Sequence, residues 1–149
     1  MAVLPIAPYD PSRVIQQFGS IVPSAYGPDS RISITPTGAS FTVMQGQDGH
    51  IIRVKQRAVH HLLVFTLMKS DPANDLLDEL FRNDVESLLP SGIVKYQLTD
   101  NNGTSKCTAA YAWISQQPDL TYTAAGEAYT WNAVLASADV RTRSLTFLP

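Results

Sequence analysis

Four side chains of this 149-residue sequence are the natural candidates for metal binding or nucleophilic chemistry: His50, His60, His61 and the single cysteine, Cys107. Their spacing argues against both roles. His60 and His61 are adjacent in an apolar run that reads as a strand, where neighbouring side chains point to opposite faces and do not converge on one ion. No cysteine or carboxylate stands nearby at ligand spacing, so these histidines read as strand residues with ordinary polar partners. Cys107 reads as a small half-buried strand residue, and one cysteine allows no internal disulfide. Serine, histidine and aspartate are all present, but without a nucleophile elbow, a zinc-protease helix or a phosphate-cradling glycine loop. The carboxylates Asp75, Asp78 and Glu79 fall on the polar face of an expected helix, where solvation explains them. Trp113 and Trp131, with Tyr96, Tyr111, Tyr122 and Tyr129, would suit a sugar platform; their alternating strand positions fit core or subunit packing better. Arg53, Lys55 and Arg57 share one strand face, which reads as a solvated or salt-bridged surface, with the helix carboxylates of a neighbouring subunit as possible counterparts. The expectation is no catalytic residue, no cofactor and no metal.

The elements that carry these residues are mostly strands. Pro5, Pro8 and Pro11 make residues 1–11 an extended arm, since proline denies both helix and interior-strand pairing. Arg13 to Phe18 reads as a first strand, Ser24 to Ser30 as a loop and Arg31 to Thr35 as a second strand. Phe41 to Gln45 alternates and runs into Asp48-Gly49, a hairpin signature, with Ile51 to Arg57 as the return. Val59 to Met68 is apolar on both faces, so it is expected to be covered on both sides. Ser70-Asp71-Pro72 opens a helix over about 71–84, whose stripe Leu76, Leu77, Leu80 and Phe81 is expected in the core. Strands resume at Ile93 to Leu98, turn at Asp100-Asn101-Asn102-Gly103 and return from Thr104 to about Ser115. Leu120 to Thr123 is expected to pair, and Glu127 to Ala136 to close the set, with Tyr129, Trp131, Ala133 and Leu135 on one side. Residues 137–149 are either a further strand or an arm. The fold class is mainly β: an antiparallel barrel or sandwich with one flanking α-helix, in one domain.

Composition narrows the function classes. Charged residues are 16% of the chain, below the ~25% of an ordinary soluble domain, which suits a surface buried against copies of itself. The formal net charge of -2 lacks the basic footprint of a nucleic-acid binder. The proline-bearing start has no basic residue and reads as neither a signal peptide nor a membrane helix, and no apolar run reaches the ~18 residues of a bilayer span.

The order of motifs resembles a family of bacteriophage structural proteins that form tail tubes. Tyr9-Asp10-Pro11 opens it, followed by the hairpin turn Gln45-Gly46-Gln47-Asp48-Gly49 and the run Ser70-Asp71-Pro72-Ala73-Asn74-Asp75-Leu76-Leu77. Asp100 to Thr104, Ala112-Trp113-Ile114, Pro118, Tyr122 to Gly126 and the aromatic strand Tyr129 to Leu135 complete it. The resemblance spans Tyr9 to Leu135; residues 137–149 carry no family signature. It implies a tail-tube fold shared with type VI secretion tube proteins, in a virion protein made in the host cytoplasm. Six subunits would form a ring, and stacked rings a hollow conduit for genomic DNA, which passes without specific binding. Implied partners are copies of the chain and the tail sheath, tape measure, baseplate and tail terminator proteins. Gln47, Asp48, Gly49, Arg53, Lys55 and Arg57 are the expected contacts between subunits or rings. A tailocin or type VI-like tube subunit is an alternative of the same architecture, and a monomeric carbohydrate-binding β-sandwich is one of another class.

Overall fold

The apolar strands of the sequence assemble into one antiparallel sheet that curls into an open half-barrel against a single helix. The computed structural model describes residues 6–24, 32–57, 59–126 and 128–145. A 3₁₀ turn at Pro11–Arg13 leads into β1 (Val14–Phe18). Then come β2 (Ile32–Pro36), β3 (Phe41–Gln45), β4 (Ile51–Lys55) and β5 (His61–Leu67). Helix α1 (Ala73–Glu86) follows, then β6 (Val94–Asp100), β7 (Lys106–Gln116) and β8 (Tyr129–Arg141). The sheet order is β1-β6-β7-β8-β5-β2, while β3 and β4 pair only with each other. The fold is therefore mainly β with one helix, as expected, but the sheet is left open, with β1 and β2 as its two ends.

The core lies on the concave face. Leu63, Phe65 and Leu67 of β5, Ala112 and Ile114 of β7, and Trp131, Ala133 and Leu135 of β8 are buried there with Leu77 of α1. Leu80 and Phe81 pack against that cluster half-buried. Leu76, expected in the same stripe, is 51% exposed: it lies on the flank of the helix, beyond the reach of the sheet. The expectation that β5 is covered on both sides is also not met among the described residues of one chain. Leu62 and Met68, on the opposite face, are 43% and 45% exposed.

A corner crosses three strands at one level. The β6–β7 register shifts between Val94 and Tyr96. On β7 the inward positions step from Ala109 to Ala112, and on β8 from Leu135 to Ala138 across Ser137, whose φ is 53°. A strict period of two would send Ala138 and Val140 outward; the offset returns both to the core. For this reason β8 continues to Arg141, past the Ala136 limit read from sequence, and resolves the first part of residues 137–149 as strand. Gly103 then holds the segment that follows. It bridges to Leu145, and a Cβ at Gly103 would stand 2.5 Å from the Ser144 carbonyl oxygen.

Other boundaries shift too. The helix occupies 73–86, two residues later than expected at each end. Leu120 to Thr123 forms no strand. The arm expected over 1–11 is irregular from Ile6 to Asp10 and coils at Pro11; its residues 1–5 lie outside the described set, as do 25–30 of the expected loop, Arg31, Glu127 and 146–149.

Candidate interaction surfaces

Several residues that carry the family resemblance turn out to be structural locks. Asp10 accepts hydrogen bonds from the Ser12 amide at 3.0 Å and the Ser12 hydroxyl at 2.7 Å, and these hold its carboxyl below the ordinary carboxylate value. Asn102, buried in the Asp100–Gly103 turn, clamps the same residue: its Oδ1 accepts from the Asp10 amide and its Nδ2 donates to the Asp10 carbonyl, both at 2.9 Å. Two motifs ninety residues apart thus tie the chain start to the β6–β7 turn. Asp71 is buried and accepts from the amide of Ala73 at 2.9 Å just ahead of α1, whose N-cap position is Pro72 with no side-chain capping bond. Asn74 accepts from Trp131 Nε1 at 3.0 Å and donates to the Met68 carbonyl at 2.8 Å, which fixes the helix to β8 and to the end of β5.

The hairpin is built differently. Gly49, at φ 87°, closes the turn between β3 and β4, and the Gly46 and His50 backbones hydrogen-bond across it at 2.8 Å. His50 Nδ1 lies 2.5 Å from an Asp48 carboxylate oxygen, a contact that lowers the Asp48 pKa. The register places Phe41 opposite Lys55, Val43 opposite Arg53 and Gln45 opposite Ile51, so these six share one face. Thr42, Met44, Ile52 and Val54 share the other. Val54 alone is half-buried; every other residue of the two strands is exposed, including Val43 at 70% and Ile51 at 66%. The Arg53 guanidinium lies 4.3 Å from the centre of the Phe41 ring. The structure thus brings Gln47, Asp48 and Gly49 together at the tip, with Arg53 and Lys55 along one face; β4 ends at Lys55, which leaves Arg57 beyond the strand. Among the described residues no carboxylate lies within ion-pair distance of Arg53, Lys55 or Arg57.

Two further surfaces escaped the sequence. A cavity of about 310 Å³ opens between α1 and the segment after β7, lined by Asn74, Asp75, Asp78, Arg82, Gln117 and Trp131 among others. Asp78 is committed there, accepting from Arg82 Nε and Gln117 Nε2, both at 3.0 Å. The following strap is pinned from below. Lys69 Nζ donates to the Thr121 carbonyl and lies over the rings of Tyr122 and Tyr129, at 4.6 and 5.4 Å. The second surface is apolar: Val85, Leu88 and Leu89 stand exposed around the C-terminal end of α1. Leu88-Leu89 before Pro90, outside any periodic pattern, was the sequence sign of it.

No group of three or more histidine, cysteine, aspartate or glutamate side chains is placed to hold a metal ion among the described residues. Burial pushes the Cys107 thiol up to about 11, with Asp139 adding to the shift.

No protein-family model matches the chain, and no curated protein sequence matches it. In structure the chain is similar to the anti-feeding prophage cap, the AFP tube terminating cap, with a TM-score of 0.54, 13% identity, and 96% of this chain and 95% of that one covered. It is similar also to the PVC sheath/tube terminator of an extracellular contractile injection system, with a TM-score of 0.52, 12% identity, and 92% and 97% covered. A chain of the PVC sheath-tube complex aligns with a TM-score of 0.49, 13% identity, and 93% of each chain covered. At these identities the likeness defines a class by fold. The protein has the fold of the tube-terminating proteins of contractile injection systems across nearly its whole length.

Proposed function

We propose that this chain is a structural subunit of a contractile tail, with no catalytic role, and that it is the repeating subunit of the inner tube. In this reading six copies close a ring, rings stack into a hollow conduit for the genome, and a sheath surrounds them. Tape measure, baseplate and tail terminator proteins are the remaining partners, in a phage virion or, with the same architecture, in a tailocin or secretion tube. The observation that carries the reading is the open sheet. Among the described residues two end strands, β1 and β2, have no further strand on their outer edges, on a fold shared with the cap and terminator proteins, so joining the edges of successive copies would close a continuous hoop. The uncovered face of β5, the low charge and the exposed hairpin all support burial against neighbours. The turn Gln47–Gly49 and the cations Arg53, Lys55 and Arg57 supply contacts between copies.

A second reading is favoured by the two likenesses themselves, both to tube-terminating proteins: the chain would form one ring that caps a tube. Electron microscopy of the purified protein over a concentration series separates the two. A tube subunit gives rings that stack into tubes of uniform diameter as concentration rises. A terminator gives single rings at every concentration. A strict monomer at the highest concentration refutes both, and sugar binding by that monomer would favour a carbohydrate-binding module.

A further inference from the structure

The hairpin and the outer ridge of α1 are complementary surfaces that do not meet within one chain. Opposite the buried side of the helix, Asp75, Glu79 and Glu86 follow one another at i, i+4 and i+11, with Arg82 among them at i+7. Arg82 is held by Asp78, and Asp75, Glu79 and Glu86 have no ion-pair partner among the described residues. The flanks of this ridge are apolar: Leu76 is 51% and Val85 66% exposed. The hairpin is its inverse, with Arg53 and Lys55 between the exposed side chains of Val43, Ile51 and Phe41. The spacings also match. Same-face residues two apart on a strand are separated by roughly 6.8 Å, and carboxylates four apart on a helix by roughly 6 Å of rise.

Charge divides the chain in the same way. From Phe41 to Arg57 it carries Arg53, Lys55 and Arg57 against Asp48, while α1 carries Asp75, Asp78, Glu79, Asp84 and Glu86 against Arg82. A chain of net charge -2 that separates its charges onto two exposed, partly apolar surfaces fits a second copy of itself better than a uniformly charged partner.

We propose that the Arg53/Lys55 face of the β3–β4 hairpin of one copy docks across the Asp75/Glu79 ridge of α1 of a second copy. A long cationic side chain of the hairpin enters the cavity beside Asp75, whose floor includes Trp131 and Leu120. The contact is heterologous: each copy offers one hairpin and one ridge, so it propagates head to tail through a ring or from ring to ring. It rests on the assembly reading above and names the partner surface for it.

The test is a charge exchange in the full chain, read by sedimentation and microscopy, with circular dichroism reporting the fold. Arg53→Glu with Lys55→Glu, and separately Asp75→Arg with Glu79→Arg, are each expected to leave the monomer folded and to raise the concentration for half-assembly at least about tenfold. The chain carrying all four substitutions is expected to recover assembly. Unchanged assembly in either reversed chain, or no recovery in the combined one, overturns the docking while leaving the assembly reading intact. A wild-type chain that stays monomeric overturns both. If a reversed chain fails to fold, the neutral forms Arg53→Gln with Lys55→Gln and Asp75→Asn with Glu79→Gln replace it. Each pair is expected to weaken assembly and to flatten its dependence on salt; salt dependence equal to wild type overturns the docking.

Discussion

The main sheet and the hairpin are made of similar material and end differently. β1 and β3 are both five-residue strands with three apolar and two polar residues each. Phe18 of β1 is 1% exposed and packs in the core, its ring 6.1 Å from that of Tyr96 at 64°. Phe41 of β3 is 47% exposed and meets a guanidinium. What separates them is a second layer. The main sheet has α1 across its concave face, anchored by the Asn74–Trp131 hydrogen bond, whereas among the described residues no such layer buries the strands of the hairpin. An isolated two-stranded ribbon is marginal in water, and the docking proposed above would supply the layer that β3 and β4 lack. Apolar residues in a strand sequence thus mark a surface to be covered and leave open which molecule covers it.

The sharpest way to break this contrast is in the body. Leu77 is fully buried under α1, and Leu77→Asp places an unpaired charge in the core. It should cost on the order of 4 kcal/mol or more and leave little folded protein by circular dichroism. A soluble variant with wild-type melting would mean that the helix does not hold the sheet. The half-buried Leu80 should respond less to the same change.

A smaller effect follows from Cys107 on the interior strand β7. Its thiol is raised from 9.0 to about 11, so the folded chain holds the proton more tightly than the unfolded one. The associated stability is fully present below pH 9 and declines as pH rises toward 11. Denaturant melts across that window should show the loss, and Cys107→Ala should flatten it. An equal slope in both chains would place the titration on another group.

The smallest effect on folding belongs to the hairpin. Met44→Ser with Ile52→Ser removes two apolar side chains that are each 56% exposed. The monomer should lose no more than about 0.5 kcal/mol, while self-association weakens. A melting loss comparable to that of a core substitution would erase the distinction between the two regions.

These regions were also unequally legible in the sequence. The hairpin turn was read at its true position because Asp48-Gly49 is a local signal that needs no tertiary context. The helix was visible because a run of leucines has the period of one, but periodicity does not measure the width of the contact, and Leu76 fell outside it. The strand expected at Leu120 to Thr123 had suitable residues and no ladder. Side-chain anchors from Lys69 to Thr121, Tyr122 and Tyr129 hold that strap. The corner at Ser137 was invisible because it breaks the period of two on which strand reading depends, and three strands share it. The cavity beside Asp75 joins the helix to residues some forty positions away, and no local pattern announces it.

One detail of β2 bears on how an exposed strand edge avoids indiscriminate pairing. The Thr37 amide donates to the His60 carbonyl at 3.0 Å, so the alternation of the strand turns the backbone hydrogen-bonding groups of Ser33 and Thr35 toward β5 and those of Ile32, Ile34 and Pro36 toward the edge. Pro36 therefore stands where its missing N–H weakens no bond inside the sheet and shortens the row of donors offered to an incoming strand. A newly made chain carries a sticky edge with a built-in stop. Slipped, amyloid-like stacking along β2 runs out of donors after Ile34, which limits how far such a stack can extend.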